Sequence, residues 1–145
     1  VLDGFEVVHV DRVDSPEMVG VASKVGTRAV PHVTALGKAL LAAGPEDALA
    51  AYLAHARALP PPYRLEDEAG LRADLRRARE RGFSFDDEES SAGIRCLGVA
   101  VLGTAGEPLF ALSMTGPSAR FTAERALACA PEALAAAQTL SAQFG

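Results

Sequence analysis

Cysteine is scarce in this 145-residue chain, and the two that occur, Cys96 and Cys129, lie far apart in unlike surroundings. They form no CxxC and no Cys–His spacing, which argues against a disulfide framework or a structural zinc site and makes a reducing cytoplasm the expected location. Histidine is equally sparse. His9, His32 and His55 make no HxH or HExxH pattern, so neither a metal nor a cofactor is expected. Basic residues are outnumbered, 14 against 19 acidic, giving a net charge of −5. A phosphate backbone needs a basic face, so direct nucleic-acid binding by this piece is not expected. The longest apolar runs, 39–43 and 97–102, fall far short of the ~20 residues of a membrane span. No charged-then-apolar leader opens the chain. Val1 in place of methionine suggests a fragment or a processed product. Gly37-Lys38 lacks both the following Ser/Thr and the preceding glycine spacing of a phosphate-binding loop.

What is present is ordinary globular material, 49% hydrophobic and 23% charged, enough for one domain with its own core. Phe5, Val7, His9, Asp11 and Val13 alternate with Glu6, Val8, Val10 and Arg12, as in a strand. Turn chemistry at Asp14-Ser15-Pro16 and a β-rich run over 18–25 predict a hairpin, and 26–31 a loop. Thr34 offers an N-cap for a helix over 35–42 that Gly44-Pro45 ends. A second helix runs from Pro45 to about His55, and the prolines at 60–62 make a stiff connector. A third helix opens on Glu66, Asp67 and Glu68, buries Leu71, Leu75 and Ala78, and ends at Gly82. Its arginines 72, 76, 77, 79 and 81 alternate with acids and read as a solvated face. Strands are predicted over 83–86, 94–102 and 109–115, the last two joined by a Gly-rich loop and the third broken by Gly116-Pro117. Thr122 caps a final helix to about Phe144, with Leu127, Leu134, Ala137, Leu140 and Phe144 near one face and Pro131 kinking or splitting it. The fold class is α+β: a curved, mostly antiparallel sheet flanked by helices, with a long C-terminal helix.

The polar residues that carry chemistry gather on neighbouring strands. Ile94 and Cys96 share one face of their strand, with Arg95 on the other, and Ser113 and Thr115 share a face of the next. In the run Asp86-Asp87-Glu88-Glu89, Asp86 follows the Phe83/Phe85 alternation and is the one predicted to point inward, while 87–91 read as turn. The free N–H groups at Ala35, Leu36 and Gly37 open the helix capped by Thr34, a place suited to a carboxylate. His32 reads as a hydrogen-bonded structural residue. Cys96, inside a strand with no cationic partner, reads as a buried thiol of raised pKa rather than a nucleophile.

Three motifs carry a resemblance: Gly26-Thr-Arg-Ala-Val-Pro-His-Val-Thr-Ala-Leu-Gly-Lys-Ala-Leu-Leu-Ala42, Gly82-Phe-Ser-Phe-Asp-Asp-Glu-Glu with Gly93-Ile-Arg-Cys96, and Ala111-Leu-Ser-Met-Thr-Gly-Pro117. In register they span essentially the whole chain, 1–145, which resembles the C-terminal effector-binding domain of the IclR family of bacterial transcriptional regulators. The resemblance implies a GAF-like fold and a pocket for a small organic acid or related metabolite. In that pocket the N–H groups of Ala35 and Leu36 would face the carboxylate. Asp86, Cys96, Ser113 and Thr115 would bond the other oxygens, and Ile94, Met18 and Val21 would add apolar wall. Family members often carry serine where Thr115 stands, and the extra methyl narrows the cavity. The winged helix-turn-helix that such regulators use on DNA is absent from this sequence, so DNA would be reached only through that missing domain. Self-association as a homodimer or homotetramer is also implied. A small enzyme using Cys96 and a pure oligomerisation module stand as alternatives.

Overall fold

The computed structural model describes residues 1–16 and 24–145. Its centre is an antiparallel hairpin in which β5 (Ile94–Leu102) pairs with β6 (Pro108–Pro117), running in register from Ile94 opposite Pro117 to Val101 opposite Phe110. A short strand, β4 (Ser84–Asp87), lies antiparallel on the other edge of β5 and sets Asp86 opposite Cys96. Alternation then divides this sheet into two faces. Leu97, Val99 and Val101, with Phe110, Leu112 and Met114, form one apolar face. The opposite face carries Ile94, Cys96, Gly98, Ser113 and Thr115, the set expected to share it.

The apolar face is covered by the long C-terminal helix Ala123–Phe144, capped by the Thr122 hydroxyl accepting from the Arg125 N–H. The covering residues are Ala126, Ala130, Ala133 and Ala137, at helical spacing of four, three and four. Small side chains let the helix axis approach the sheet, and leave the burial to the strand aliphatics, each of which contributes about 1.5–3 kcal/mol. Of the expected stripe, Ala137 is in this core, Leu134 and Leu140 pack against it and Phe144 meets Phe110 edge-on, whereas Leu127 is 50% exposed. Pro131 does not split the helix, because its ring lies on the solvent side. Arg95, which alternates away from the polar face, is not released to solvent either. Its guanidinium binds Asp87 and the carbonyls of Ser118 and Phe121, stapling the turn that leads to the final helix.

Helix α1 (Ala35–Ala43) crosses the polar face of the sheet. It is buried almost all round because two further helices, α2 (Glu46–Arg57) and α3 (Glu68–Arg81), pack on its far side through Leu49, Leu53, Leu71 and Leu75. The α3 arginines, expected to be solvated, are mostly engaged. Arg72 pairs with Glu46 and Glu68, and Arg79 donates to the Ala42 carbonyl at the end of α1. Asp67 caps α3, and Gly82 at φ 87° ends it in the left-handed conformation that favours glycine. The chain's final helix is α4.

The N-terminal region departs from the predicted long hairpin. Its strands are β1 (Leu2–Asp3), β2 (Glu6–Val8) and β3 (Arg28–Ala29), and β2 pairs with β3, a segment expected to be loop. Residues 10–15 form no strand although the side chains through Val13 alternate; the last backbone pairing is at His9, which donates to the Thr27 carbonyl and accepts from the Gly26 N–H. Most of the predicted return strand over 18–25 falls outside the described residues. Val7 is fully buried and anchors this small sheet to the rest of the domain.

Candidate functional site

A cavity of about 270 Å³ opens between the start of α1, the polar face of β5–β6, the turn after β4, and the edge of the N-terminal sheet. Seven of the sequence-nominated residues line it: Ala35, Leu36, Asp86, Ile94, Cys96, Ser113 and Thr115. Met18 and Val21 lie outside the described residues. A larger groove of about 710 Å³ runs between α3 and the α4 start, but it is open and lined by intermixed arginines and carboxylates such as Arg64, Arg77, Asp74 and Asp87. None of the nominated residues lines it, and its carboxylates outnumber its arginines by five to three.

The start of α1 is fixed by close backbone packing. A 3₁₀ turn, Pro31–Val33, delivers the chain to Thr34, whose hydroxyl accepts from the Gly37 N–H and donates to the Pro31 carbonyl. Gly37 allows this turn to fold back, since a Cβ there would stand 2.2 Å from Pro31 Cα. Gly98 on β5 allows the sheet beneath to approach, since a Cβ there would meet the Ala35 carbonyl oxygen at 2.4 Å. The buried Ser84 hydroxyl donates to that same carbonyl at 2.6 Å. The N–H groups of Thr34, Gly37 and Lys38 are all bonded. Those of Ala35 and Leu36 have no hydrogen-bond partner among the described residues, and both residues line the cavity at the positive end of a helix.

Beneath the loop side of the cavity lies Asp86, 1% exposed. Its Oδ1 accepts from the N–H groups of Glu89 at 2.8 Å and Ser90 at 3.2 Å, and its Oδ2 accepts from the Ser90 hydroxyl. Both oxygens are therefore committed to the chain's own 88–91 turn. That turn projects Ser90 and Ser91 over the cavity, two residues that the sequence reading set aside as ordinary turn. The signal for them was present, since an aspartate at a strand end followed by serines is the pattern of a side chain capping its own turn. His9, Thr27 and Ala29 also line the cavity. The alternation of the first strand put His9 on the face of Val7, whereas Thr27 and Ala29 sat in a stretch read as loop.

Across the floor the hydroxyl of Thr115 donates to Cys96 Sγ at 3.2 Å. Burial, only partly offset by that hydroxyl, pushes the Cys96 thiol up to about 11. At neutral pH it is a thiol, as read from the sequence. Iodoacetamide labelling of the folded chain at pH 7.5 will therefore run at least tenfold slower at Cys96 than with free cysteine, and will rise only toward a midpoint near 11. A labelling midpoint below about 7 would contradict this. The hydroxyls of Ser91 and Ser113 have no side-chain partner among the described residues, so the cavity presents two free N–H groups and two free hydroxyls. No arginine or lysine lines it among the described residues.

His32 stands behind this site. It is buried, its Nδ1 lies 2.6 Å from the Tyr52 hydroxyl, and its backbone N–H donates to the same oxygen at 3.1 Å. Burial lowers its pKa below the usual imidazole value, with a contact to the Tyr63 backbone acting weakly the other way. The tyrosine itself is pushed up to about 12 by burial. A neutral imidazole bonded to a neutral phenol is a structural pair holding the 3₁₀ turn to α2, not a base facing the cavity.

Comparison with known proteins agrees with this architecture. Residues 1–142 match the family described as "Bacterial transcriptional regulator IclR C-terminal". The transcriptional repressor IclR of Escherichia coli strain K12 is 29% identical over 148 aligned positions, covering 97% of this chain and 52% of the repressor. The chain thus spans about half the length of the curated relatives it matches. The crystal structure of IclR from Thermotoga maritima superposes with a TM-score of 0.90 at 31% identity, over 99% of this chain and 59% of that one. A double mutant of the inducer-binding domain of the PobR transcription factor from Acinetobacter, in complex with 3-hydroxybenzoic acid, superposes at 0.80 with 26% identity, over 97% of this chain and 84% of that one. The chain belongs to the family of bacterial transcriptional regulator IclR C-terminal domains.

Proposed function

We propose that this domain senses a small monocarboxylic acid in the cavity at the α1 start and passes its occupancy to a DNA-binding segment outside this chain. The observation that carries the reading is the convergence of the free Ala35 and Leu36 N–H groups with the free Ser91 and Ser113 hydroxyls in one cavity of about 270 Å³. A helix start receives a carboxylate without any cation, and the absence of arginine and lysine among the described lining residues disfavours phosphates and dicarboxylates. The volume sits near the low end of ligand pockets, which run from about 300 Å³ upward, and so suits a small molecule. The aromatic acid held by the PobR inducer-binding domain supports the class of ligand. Regulation follows by linkage: an acid that prefers one arrangement of the domain shifts the attached DNA-binding units by no more than its differential affinity. Self-association as a dimer or tetramer in a bacterial cytoplasm completes the reading, and catalysis has no part in it. The raised pKa of Cys96 weighs against the thiol enzyme, and the cavity weighs against a pure oligomerisation module.

A thermal-shift screen of aliphatic and aromatic acids of two to eight carbons tests this. A true ligand at a hundredfold over its Kd stabilises the fold by about 2.7 kcal/mol and raises Tm by roughly 5–10 °C. Ser113→Ala should remove most of that rise while leaving the ligand-free Tm within about 1 °C, as expected for a surface change. A hit whose shift survives Ser113→Ala unchanged, or no hit across the panel, would count against the reading.

A further inference from the structure

The most unusual buried charge in the chain lies outside the cavity. Lys38, on the second turn of α1, is 1% exposed, and its Nζ sits 2.7 Å from Glu89 Oε1 and 2.8 Å from Asp74 Oδ2. Asp74 belongs to α3, while Glu89 belongs to the 88–91 turn that roofs the cavity. An ammonium so completely withdrawn from water needs its partners, and among the described residues these two carboxylates are the ones that bond it. Glu89 has no such need. Its side chain is 42% exposed and would be well solvated pointing away.

The turn is closed at its ends by backbone bonds between Glu88 and Ile94 and between Ile94 and Ser91, and two side chains hold it further. From below, Asp86 takes its N–H groups, and from behind, Lys38 takes the Glu89 carboxylate. Its backbone is also committed to an uncommon conformation, with Glu88 at φ 60° in the left-handed region. Releasing the Glu89 carboxylate removes the side-chain tether that, among the described residues, joins this roof to the helix layer.

We infer that Lys38 is a positioning residue that latches the 88–91 roof of the cavity onto α1 and α3 through Glu89, so that opening of the latch admits and releases the ligand. The inference extends the sensor reading, since it assigns that cavity a gate, but the latch exists whether or not an acid binds. Lys38 touches neither the cavity nor its contents. It acts through Glu89, and Asp74 is its fixed anchor, keeping the ammonium neutralised when Glu89 swings out.

Backbone hydrogen exchange on the ligand-free chain tests the latch. The N–H groups of Glu89 and Ser90, bonded to Asp86, report opening of the roof, and those of Leu97, Val99 and Val101 report the sheet core. Glu89→Gln should accelerate exchange at positions 89 and 90 by roughly tenfold or more, corrected for intrinsic rates, with the core amides unchanged. Lys38→Met should do the same, and Asp74→Asn should leave the roof amides within about threefold of the unaltered chain. A purely structural triad would move roof and core together, in proportion to the loss of global stability, and that result would overturn the proposal. So would roof exchange in Glu89→Gln within twofold of the unaltered chain. If Lys38→Met fails to fold, Glu89→Gln decides alone, because it leaves the ammonium paired with Asp74. With any acid found by the thermal screen, Glu89→Gln should also speed dissociation at least fivefold. An exchange effect without any binding acid would uphold the latch and sink the sensor reading, and an unchanged roof with a bound acid would do the reverse.

Discussion

Gly98→Ala should abolish acid binding and destabilise the domain by about 1–3 kcal/mol, the usual cost of forcing an extra carbon into a packed contact. The new Cβ would stand 2.4 Å from the Ala35 carbonyl oxygen and 2.6 Å from its carbon, both backbone atoms that cannot rotate away. The Ser84 hydroxyl at 2.8 Å can turn aside, but doing so breaks its hydrogen bond to that carbonyl. The cheapest relaxation moves the first turn of α1 off the sheet, and that turn carries the free N–H groups of Ala35 and Leu36. Loss of binding should therefore exceed what the loss of stability accounts for. The check is a urea melt paired with calorimetric titration of an acid from the thermal screen. Unchanged affinity in a Gly98→Ala chain would mean that the α1 start does not hold the ligand.

Asp86→Ala is the second large effect. It removes a buried carboxylate that accepts two backbone N–H groups and one hydroxyl. Hydrogen bonds to charged groups are worth about 1.5–3 kcal/mol each, but an exposed turn can hand its freed N–H groups to water, so a net loss near 2–3 kcal/mol is expected. Asp86→Asn keeps an oxygen for the two N–H groups and should recover more than half of that stability. The pair of variants separates two roles for this residue. As a turn cap, it should change stability and roof exchange along with affinity, and asparagine should rescue all three together. As a direct contact to the ligand, it would lower affinity in both variants while leaving the melt unchanged.

How far the sequence carried this account depends on where local rules governed. The strand alternation around Ile94, Cys96, Ser113 and Thr115 placed all four on one face, because period-two geometry leaves no freedom once the pairing is antiparallel. Thr34, Thr122 and Gly82 marked helix ends through capping chemistry that acts within a single turn, and the acids 66–68 marked the start of α3 through its dipole. Long-range facts were not legible. Lys38 read as a helix residue set apart from the site, because its two partners lie 36 and 51 residues away. The α3 arginines keep to the surface as read, but the carbonyl partners of Arg79 and Arg95, at a helix end and in a loop, lie far along the chain. In α4 the expected stripe followed the large side chains. Leu134, Ala137 and Leu140 of that stripe do pack on the sheet, but Ala126, Ala130 and Ala133 share the contact and Leu127 does not. Asp86 was correctly aimed inward, yet its oxygens serve the turn above it, which only the folded arrangement of Glu89 and Ser90 could reveal.

The central claim is that an acid binds with its carboxylate on the first turn of α1. Two-dimensional ¹H–¹⁵N NMR of the chain, titrated with an acid selected by thermal shift, tests it at single residues. The account predicts saturable downfield shifts of the Ala35 and Leu36 amide protons, the two at that helix start without a partner, accompanied by changes at Ser91 and Ser113. Ala35 and Leu36 amides that stay in place at saturation, while resonances lining the open α3 groove such as Gly70 and Leu71 move instead, would contradict it.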